Sequence, residues 1–260
     1  MPSQFCSVQR DGHVTVITIN RPEVMNALHT PAHFELSQAF DDFAADPDQW
    51  VAIVTGAGDR AFCTGNDLKH QAAGGEVRRP DSGFGGLTSR MDLDKPLIAA
   101  VNGVAMGGGF EIALACDLIV ASEQAVFALP EPRVGLAALA GGVLRLTQQI
   151  PQKQAMGMIL TGRRVPAAEG LQLGFVNEVV PHGELMAASR RWASQILECS
   201  PMSIRASKQA VRLGRDEPTL GEALRNQRGY PASQAMLASA DFIEGPKAFS
   251  EKRKPAWQGR

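Results

Sequence analysis

Short apolar runs separated by turn signals dominate the first half of the chain. Residues 5–9 and 14–19 flank Asp11 and Gly12, a dipeptide that favours a type I′ turn, and they predict a β-hairpin. Four further apolar runs predict β-strands at residues 51–54, 97–101, 118–120 and 126–128. The runs at 51–54 and 97–101 contain no polar residue, which is typical of strands that are covered on both faces of a sheet.

Helical patterns occur early in the chain and again throughout its second half. Thr30 followed by Pro31 predicts a helix start, because a hydroxyl can cap the first turn and proline suits the first helical position. From about residue 142 the pattern becomes helical, with one strand candidate at residues 176–180. Helices are predicted near the C-terminus at residues 201–213, 219–237 and 241–252.

Strand, strand and helix recur in this order, which predicts an α/β fold. Residues 71–89 are rich in glycine and contain few large apolar side chains, so we expect them to bury little surface and to form a mobile loop that covers a site. We expect a core domain over residues 1–200 and a helical region over residues 201–260.

The composition favours an ordinary soluble globular protein over a nucleic-acid-binding or membrane protein. The chain has 260 residues, 44% of them hydrophobic, and a formal net charge of −1, which offers no basic surface for nucleic acid. No apolar run approaches the ~20 residues that a membrane span requires. Residues 1–10 lack the apolar segment of a secretory signal, and the four cysteines are scattered, so we expect reduced thiols and a cytoplasmic location without a metal site.

The segment from residue 101 to residue 111 carries the first chemical signal. It runs from a buried strand through three glycines, 107–109, into an apolar helix, and helix-start amides can bind an oxyanion. Glu111 lies in this apolar window, and Glu131 lies between two prolines further along the chain. Two carboxylates in apolar settings can act as an acid and a base. The alternative is a tight packing turn and two carboxylates that never meet.

A second glycine-containing loop, Ala-Phe-Cys-Thr-Gly-Asn-Asp-Leu-Lys at residues 61–69, completes a recognisable pattern. Together with residues 102–111 and 127–131 it resembles the crotonase (enoyl-CoA hydratase/isomerase) family, whose motifs are A-F-C-x-G-x-D-[IL]-K, N-G-x-A-x-G-G-G-x-E and F-x-x-P-E. Order, separation and identity agree, and the resemblance covers essentially the entire chain. At a finer scale, the chain resembles the carnitinyl-CoA dehydratase (crotonobetainyl-CoA hydratase) branch of the family at residues 84–88, 92–100, 141–146 and 244–253.

The resemblance implies a spiral of ββα units with a C-terminal helical trimerisation region, assembled as a trimer or a pair of trimers. It implies reversible syn addition of water to a 2-enoyl-CoA, giving a 3-hydroxyacyl-CoA. Glu111 would take a proton from the water that attacks C3, and Glu131 would deliver a proton to C2. The amides of Asn66 and Gly108 would bind the thioester oxygen. No metal or redox cofactor is implied, because coenzyme A is part of the substrate.

Further residues are expected to contact the substrate. The path of coenzyme A would be lined by Cys63, Thr64, Gly65, Asp67, Leu68 and Lys69. The acyl pocket would be shaped by Phe84, Leu87, Met106 and Leu139.

One departure from the family leaves the acyl group open. Ala138 stands where the family usually has proline, in an apolar segment, residues 135–142, that offers no carboxylate. A quaternary ammonium would need aromatic faces or a negative charge, and Phe84 and Phe110 are the aromatic candidates. A plain aliphatic or aromatic enoyl group therefore fits at least as well. The alternatives to a hydratase are an enoyl-CoA isomerase and a non-catalytic acyl-CoA-binding protein, and the presence of both glutamates favours hydration.

Overall fold

The computed structural model describes residues 4–260, which form two sheets surrounded by helices. The strands are β1 (Cys6–Asp11), β2 (Val14–Ile19), β3 (Val51–Gly56), β4 (Ala61–Cys63), β5 (Leu97–Val101), β6 (Val104–Met106), β7 (Leu118–Ser122), β8 (Val126–Ala128), β9 (Val165–Pro166) and β10 (Glu178–Val180). The helices are α1 (Thr30–Ala45), α2 (Leu68–Ala72), α3 (Gly108–Ala115), α4 (Gly142–Gln149), α5 (Gln152–Thr161), α6 (Ala167–Leu173), α7 (Leu185–Leu197), α8 (Pro201–Gly214), α9 (Leu220–Asn226), α10 (Pro231–Leu237) and α11 (Ala240–Ser250).

From β3 to β8, successive strands alternate between the two sheets. The larger sheet has the order β1-β2-β3-β5-β7-β10, and the smaller sheet has the order β4-β6-β8-β9. Each of the pairs β3–β4, β5–β6 and β7–β8 therefore contributes one strand to each sheet, and a helix follows each pair. Within each sheet the strands of consecutive pairs run parallel. This is a spiral of ββα units, and the predicted α/β class is confirmed.

The predicted hairpin and the predicted strands are present. Strands β1 and β2 pair in antiparallel register from Cys6 opposite Ile19 to Asp11 opposite Val14. The four apolar runs form β3, β5, β7 and β8. The strand candidate at 176–180 is shorter than predicted, because β10 begins only at Glu178.

The residue pair at the start of α1 plays a different role from the one predicted. Thr30 is the first residue of the helix and does not cap it. Its hydroxyl instead donates to the carbonyl of Glu76 at 2.6 Å and accepts from the amide of Arg78 at 2.8 Å. Thr30 therefore ties the glycine-rich segment to the start of α1.

Two further expectations are corrected. The single helix predicted over 219–237 is divided into α9 and α10 by a 3₁₀ turn, Gln227–Gly229, before Pro231. The residue before a proline disfavours helical geometry, so the helix ends there. The prediction that residues 71–89 bury little surface is wrong for the end of the segment, because Phe84 and Leu87 are buried in the main core.

The C-terminal helices begin at the predicted boundary, since α8 starts at Pro201. They bind the sheet-bearing part of the chain through polar contacts, including an ion pair of 2.7 Å between Lys208 and Asp117 and one of 3.0 Å between Arg212 and Asp94. The division into two domains stays a prediction. Among residues 4–260, no helix is both long enough and apolar enough to cross a membrane.

Candidate active site

Glycines bring the loop after β4 against the start of α3. A methyl group on Gly65 would lie 2.9 Å from the carbonyl oxygen of Met106 and 3.1 Å from the amide nitrogen of Gly108. A methyl group on Gly109 would overlap the carbonyl of Cys63. Gly65 also has φ +88°, a backbone conformation that favours glycine. The close approach of these two loops places the residue after Gly65, Asn66, beside the start of helix α3.

Two main-chain amides at this junction have no acceptor in the described chain. On either side of Asn66, the amide of Gly65 donates to Cys63 Sγ and that of Asp67 donates to the carbonyl of Leu28. Within residues 4–260, neither the amide of Asn66 nor that of Gly108 donates a hydrogen bond. The first amides of a helix have no intrahelical acceptor and carry partial positive charge. Such a pair can bind an oxygen on which negative charge develops.

The loop that carries Asn66 is fixed by a buried ion pair. Asp67 caps α2 by accepting from the amide of His70 at 3.0 Å, and it pairs with Arg21 at 3.0 Å. Arg21 also donates to the carbonyl of Ala27. These contacts hold the pKa of Asp67 below its ordinary value even though partial burial opposes them. Asp67 therefore positions the loop and keeps its carboxylate away from solvent.

Glu111 is almost fully buried in the first turn of α3. Its side chain is 3% exposed, and Oε1 accepts from the amide of Gly142 at 2.8 Å. Burial and, to a smaller extent, the charge of Glu131 raise the pKa of Glu111, the hydrogen bond from Gly142 lowers it, and the net pKa is about 7. A carboxyl group with such a pKa can gain or lose a proton near neutral pH.

Glu131 reaches the same helix start from the 3₁₀ turn Glu131–Val134, which follows β8. A methyl group on Gly107 would lie 2.9 Å from Glu131 Oε1. Gly107 is one helical turn before Glu111, whose amide donates to its carbonyl at 2.9 Å. Oε2 of Glu131 is buried and has no hydrogen-bond partner within residues 4–260, and burial raises the pKa of this carboxyl. The charge of Glu131 acts on Glu111, so both carboxyl groups lie near the helix start that presents the free amide of Gly108.

Comparison with known proteins identifies the family to which the chain belongs. Residues 9–260 match the model of the enoyl-CoA hydratase/isomerase family. The chain belongs to that family. A carnitinyl-CoA dehydratase from Salmonella typhi is 45% identical to it, over 99% of this chain and 100% of the relative.

Solved structures of family members have the same fold. An enoyl-CoA hydratase from Mycobacterium marinum matches with a TM-score of 0.92 at 38% identity, over 98% of this chain and 99% of its own. A carnitinyl-CoA dehydratase from Mycobacterium avium 104 matches with a TM-score of 0.78 at 42% identity, over 99% and 100%. The predicted family and the crotonase fold are confirmed, and the chain is an enzyme of the hydratase and dehydratase class, which acts on CoA thioesters.

The residues predicted to line the path of coenzyme A differ in their access to solvent. Leu68 and Lys69 are exposed, and Thr64 is half-buried with its hydroxyl donating to Met25. Cys63 is fully buried, and burial raises its pKa to about 12. Its side chain packs in the core of the protein, so a contact of Cys63 with coenzyme A would use its main chain and stays a prediction.

The residues predicted to shape the acyl pocket are also divided. Phe84 is buried against the helix start, where a methyl group on Gly108 would overlap its ring. Leu87 is buried and Met106 is half-buried, whereas Leu139 is 80% exposed. Phe84 is thus the aromatic side chain of this set that lies beside the candidate oxyanion hole, and the role of the other three stays a prediction.

Three residues that shape the site were not predicted from the sequence. Arg21 fixes the Asn66 loop, Gly142 donates to Glu111, and Arg79 lies over Phe84. Gly142 carried a weak signal, since it belongs to a Gly-Gly pair in a segment where the family pattern was noted. Arg21 is distant in sequence from every motif, and Arg79 lies in the loop 71–89 without a motif position of its own, so no local signal identified them.

Proposed function

We propose that the protein hydrates 2-enoyl-CoA thioesters to 3-hydroxyacyl-CoA, reversibly and by syn addition. The observation that carries this proposal is that Glu131, at Gly107, acts electrostatically on Glu111, near two main-chain amides without an acceptor in the described chain. Membership of the enoyl-CoA hydratase/isomerase family supports it. Hydration needs a substrate carbonyl that is activated by hydrogen bonds, and it needs a proton donor and a proton acceptor on one face of the double bond. The two amides would activate the carbonyl, and the two glutamates would donate and accept the protons.

In this proposal the amides of Asn66 and Gly108 bind the thioester oxygen. As water adds to C3, electrons move towards that oxygen and an enolate develops. Two fixed donors stabilise the enolate more than the neutral thioester, and one donor of this kind contributes roughly 10²–10³ in rate. The tight contacts of Gly65 and Gly109 with the opposite loop hold both donors in place. Little reorganisation is then needed as charge develops.

The two carboxyl groups handle the protons. Glu111 accepts a proton from the water molecule as its oxygen bonds to C3, and Glu131 delivers a proton to C2 as the enolate collapses. The cycle closes when the proton gained by Glu111 replaces the one lost by Glu131. Because burial raises both pKa values, the pair can retain one proton near neutral pH, which this sequence of steps requires.

The proposal extends to assembly, location and cofactors. We propose a homotrimer or a pair of trimers, because the C-terminal helix α11 exposes Phe242, Ile243 and Phe249, of which Phe249 is 86% exposed. Sedimentation equilibrium would report a single chain if this is wrong. A cytoplasmic location fits the four cysteines without disulfides in the described chain. The reaction as written uses no cofactor besides the coenzyme A of the substrate.

A carnitinyl-CoA dehydratase activity is the second candidate. It is favoured by the relative of that name, which is 45% identical over its whole length. This substrate is a CoA thioester whose acyl chain carries a quaternary ammonium, and the same glutamates would serve its dehydration. The two activities therefore differ in the recognition of the acyl end and share the chemistry.

The test is loss of enoyl-thioester absorbance on crotonyl-CoA. Glu111→Gln and Glu131→Gln should each lower kcat by roughly 10²–10⁴, the contribution of one general acid or base. Glu123→Gln, which changes an exposed carboxyl in the turn after β7, is the matched control and should leave kcat unchanged. Absence of turnover by the wild-type chain with bound acyl-CoA would indicate a binding protein. Conversion of 3-enoyl to 2-enoyl thioesters that survives Glu111→Gln would indicate an isomerase.

A further inference from the structure

An arginine lies over the aromatic ring that borders the candidate site. The guanidinium carbon of Arg79 is 5.2 Å from the centroid of the Phe84 ring. Phe84 is buried, and the ring is so close to Gly108 that a methyl group there would overlap it. Arg79 is therefore one aromatic ring away from the amide proposed to bind the thioester oxygen.

Arg79 has no direct polar partner in the described part of the chain. Its guanidinium forms no ion pair and no side-chain hydrogen bond with residues 4–260. The preceding residue differs, since Arg78 pairs with Glu76 at 3.5 Å and lies over the exposed ring of Phe34. Both arginines are exposed to solvent, but Arg78 is paired, whereas Arg79 is unpaired and lies over the ring that borders the site.

The surroundings leave Arg79 as the cation available to a substrate at this position. His33, whose ring contacts Phe84, is neutral at physiological pH, because burial and the charge of Arg79 lower its pKa to about 3. Arg145 is engaged by the carbonyl of Thr88 at 2.8 Å. The charge of Arg79 also lowers the pKa of Glu111, although burial of that carboxyl has the larger and opposite effect. The field of Arg79 therefore reaches the reacting groups.

We propose that Arg79 makes the enzyme selective for 2-enoyl-CoA substrates whose acyl chain ends in a carboxylate. This inference rests on the proposed function and specifies its substrate class. Guanidinium and carboxylate form charge-assisted, often bidentate, hydrogen bonds. A quaternary ammonium would meet a charge of the same sign, and the face of Phe84 that could bind it is occupied by Arg79. The chain would therefore differ in substrate from its relatives named carnitinyl-CoA dehydratase.

The experiment compares three enoyl-CoA probes that differ in the charge at the end of the acyl chain. Glutaconyl-CoA carries a carboxylate, crotonyl-CoA is neutral, and crotonobetainyl-CoA carries a quaternary ammonium. We expect the wild-type kcat/KM to be roughly tenfold higher for glutaconyl-CoA than for crotonyl-CoA, because one charge-assisted hydrogen bond to the substrate contributes about that factor. Arg79→Gln should abolish this ratio through KM, and Arg78→Gln, the matched control, should preserve it. Added salt should lower the ratio only where Arg79 is present.

Each other outcome contradicts a specific part of the argument. Equal kcat/KM for glutaconyl-CoA and crotonyl-CoA in the wild type, or a preference for crotonobetainyl-CoA, overturns the inference and leaves hydration intact. Equal losses on all three probes in Arg79→Gln also overturn it, because they would place Arg79 at the phosphates of coenzyme A. Absence of turnover with every probe contradicts the proposed function, and with it this inference.

Discussion

Glu111 should destabilise the folded protein at alkaline pH. The residue is 3% exposed, and burial is the main cause that raises the pKa of its carboxyl from 4.5 to about 7. A group whose pKa is higher in the folded than in the unfolded state binds protons more tightly when folded, so stability falls as pH rises through the interval between the two values. At pH 5 the folded carboxyl is mostly protonated. At pH 8 it is ionised inside a buried site.

The magnitude follows from the size of the shift. One pKa unit corresponds to about 1.4 kcal/mol, so the raised pKa of Glu111 lowers the stability by about 3 kcal/mol at pH 8 and by about 1 kcal/mol at pH 5. Glu111→Gln removes the ionisable group and keeps an oxygen that can accept from the amide of Gly142. The variant should therefore gain stability at pH 8, by about 6–12 °C in Tm for a chain of this size. At pH 5 the gain should be about a third as large.

The assay is thermal unfolding at pH 5 and pH 8, followed by circular dichroism at one protein concentration, because assembly would make Tm depend on concentration. Glu123→Gln, at an exposed position, controls for the loss of a negative charge. A Glu111→Gln variant no more stable than the wild type at pH 8 would refute the reasoning. An equal gain at both pH values would also do so, since the gain would not then come from ionisation.

Three more predictions concern the same site. The kcat/KM for hydration should fall as pH drops below about 7, because protonated Glu111 cannot accept a proton from water, and a profile flat from pH 5 to pH 8 would contradict this role. Gly108→Ala should lower kcat by roughly 10² or more, because the methyl group would displace Phe84 and shift an oxyanion donor; unchanged kcat with crotonyl-CoA would exclude Gly108 as that donor. In the native protein Cys199 should react rapidly with a thiol reagent, whereas buried Cys6, Cys63 and Cys116 should not; a titration showing more than one fast thiol per chain would argue against this packing.

Local patterns in the chain were sufficient for the secondary structure that surrounds the site. The apolar runs of β3, β5, β7 and β8 and the turn at Asp11 and Gly12 have signals that depend on a few neighbouring residues. The division of 219–237 into α9 and α10 was missed, although Pro231 gave a local signal for it. Burial of Phe84 and Leu87 was also missed, because a glycine-rich composition does not show that the segment packs against α1.

The sequence by itself determined the family, the ββα order and the identity of the two glutamates, because these depend on residue types at short spacings. Only the tertiary structure decided that Glu131 lies against Gly107 near Glu111, that Cys63 lies in the core, and that Arg79 lies over Phe84. These facts depend on contacts between residues far apart in the chain. The pKa of Glu111 is of this kind, since burial by many distant segments raises it, and no local pattern specifies that burial.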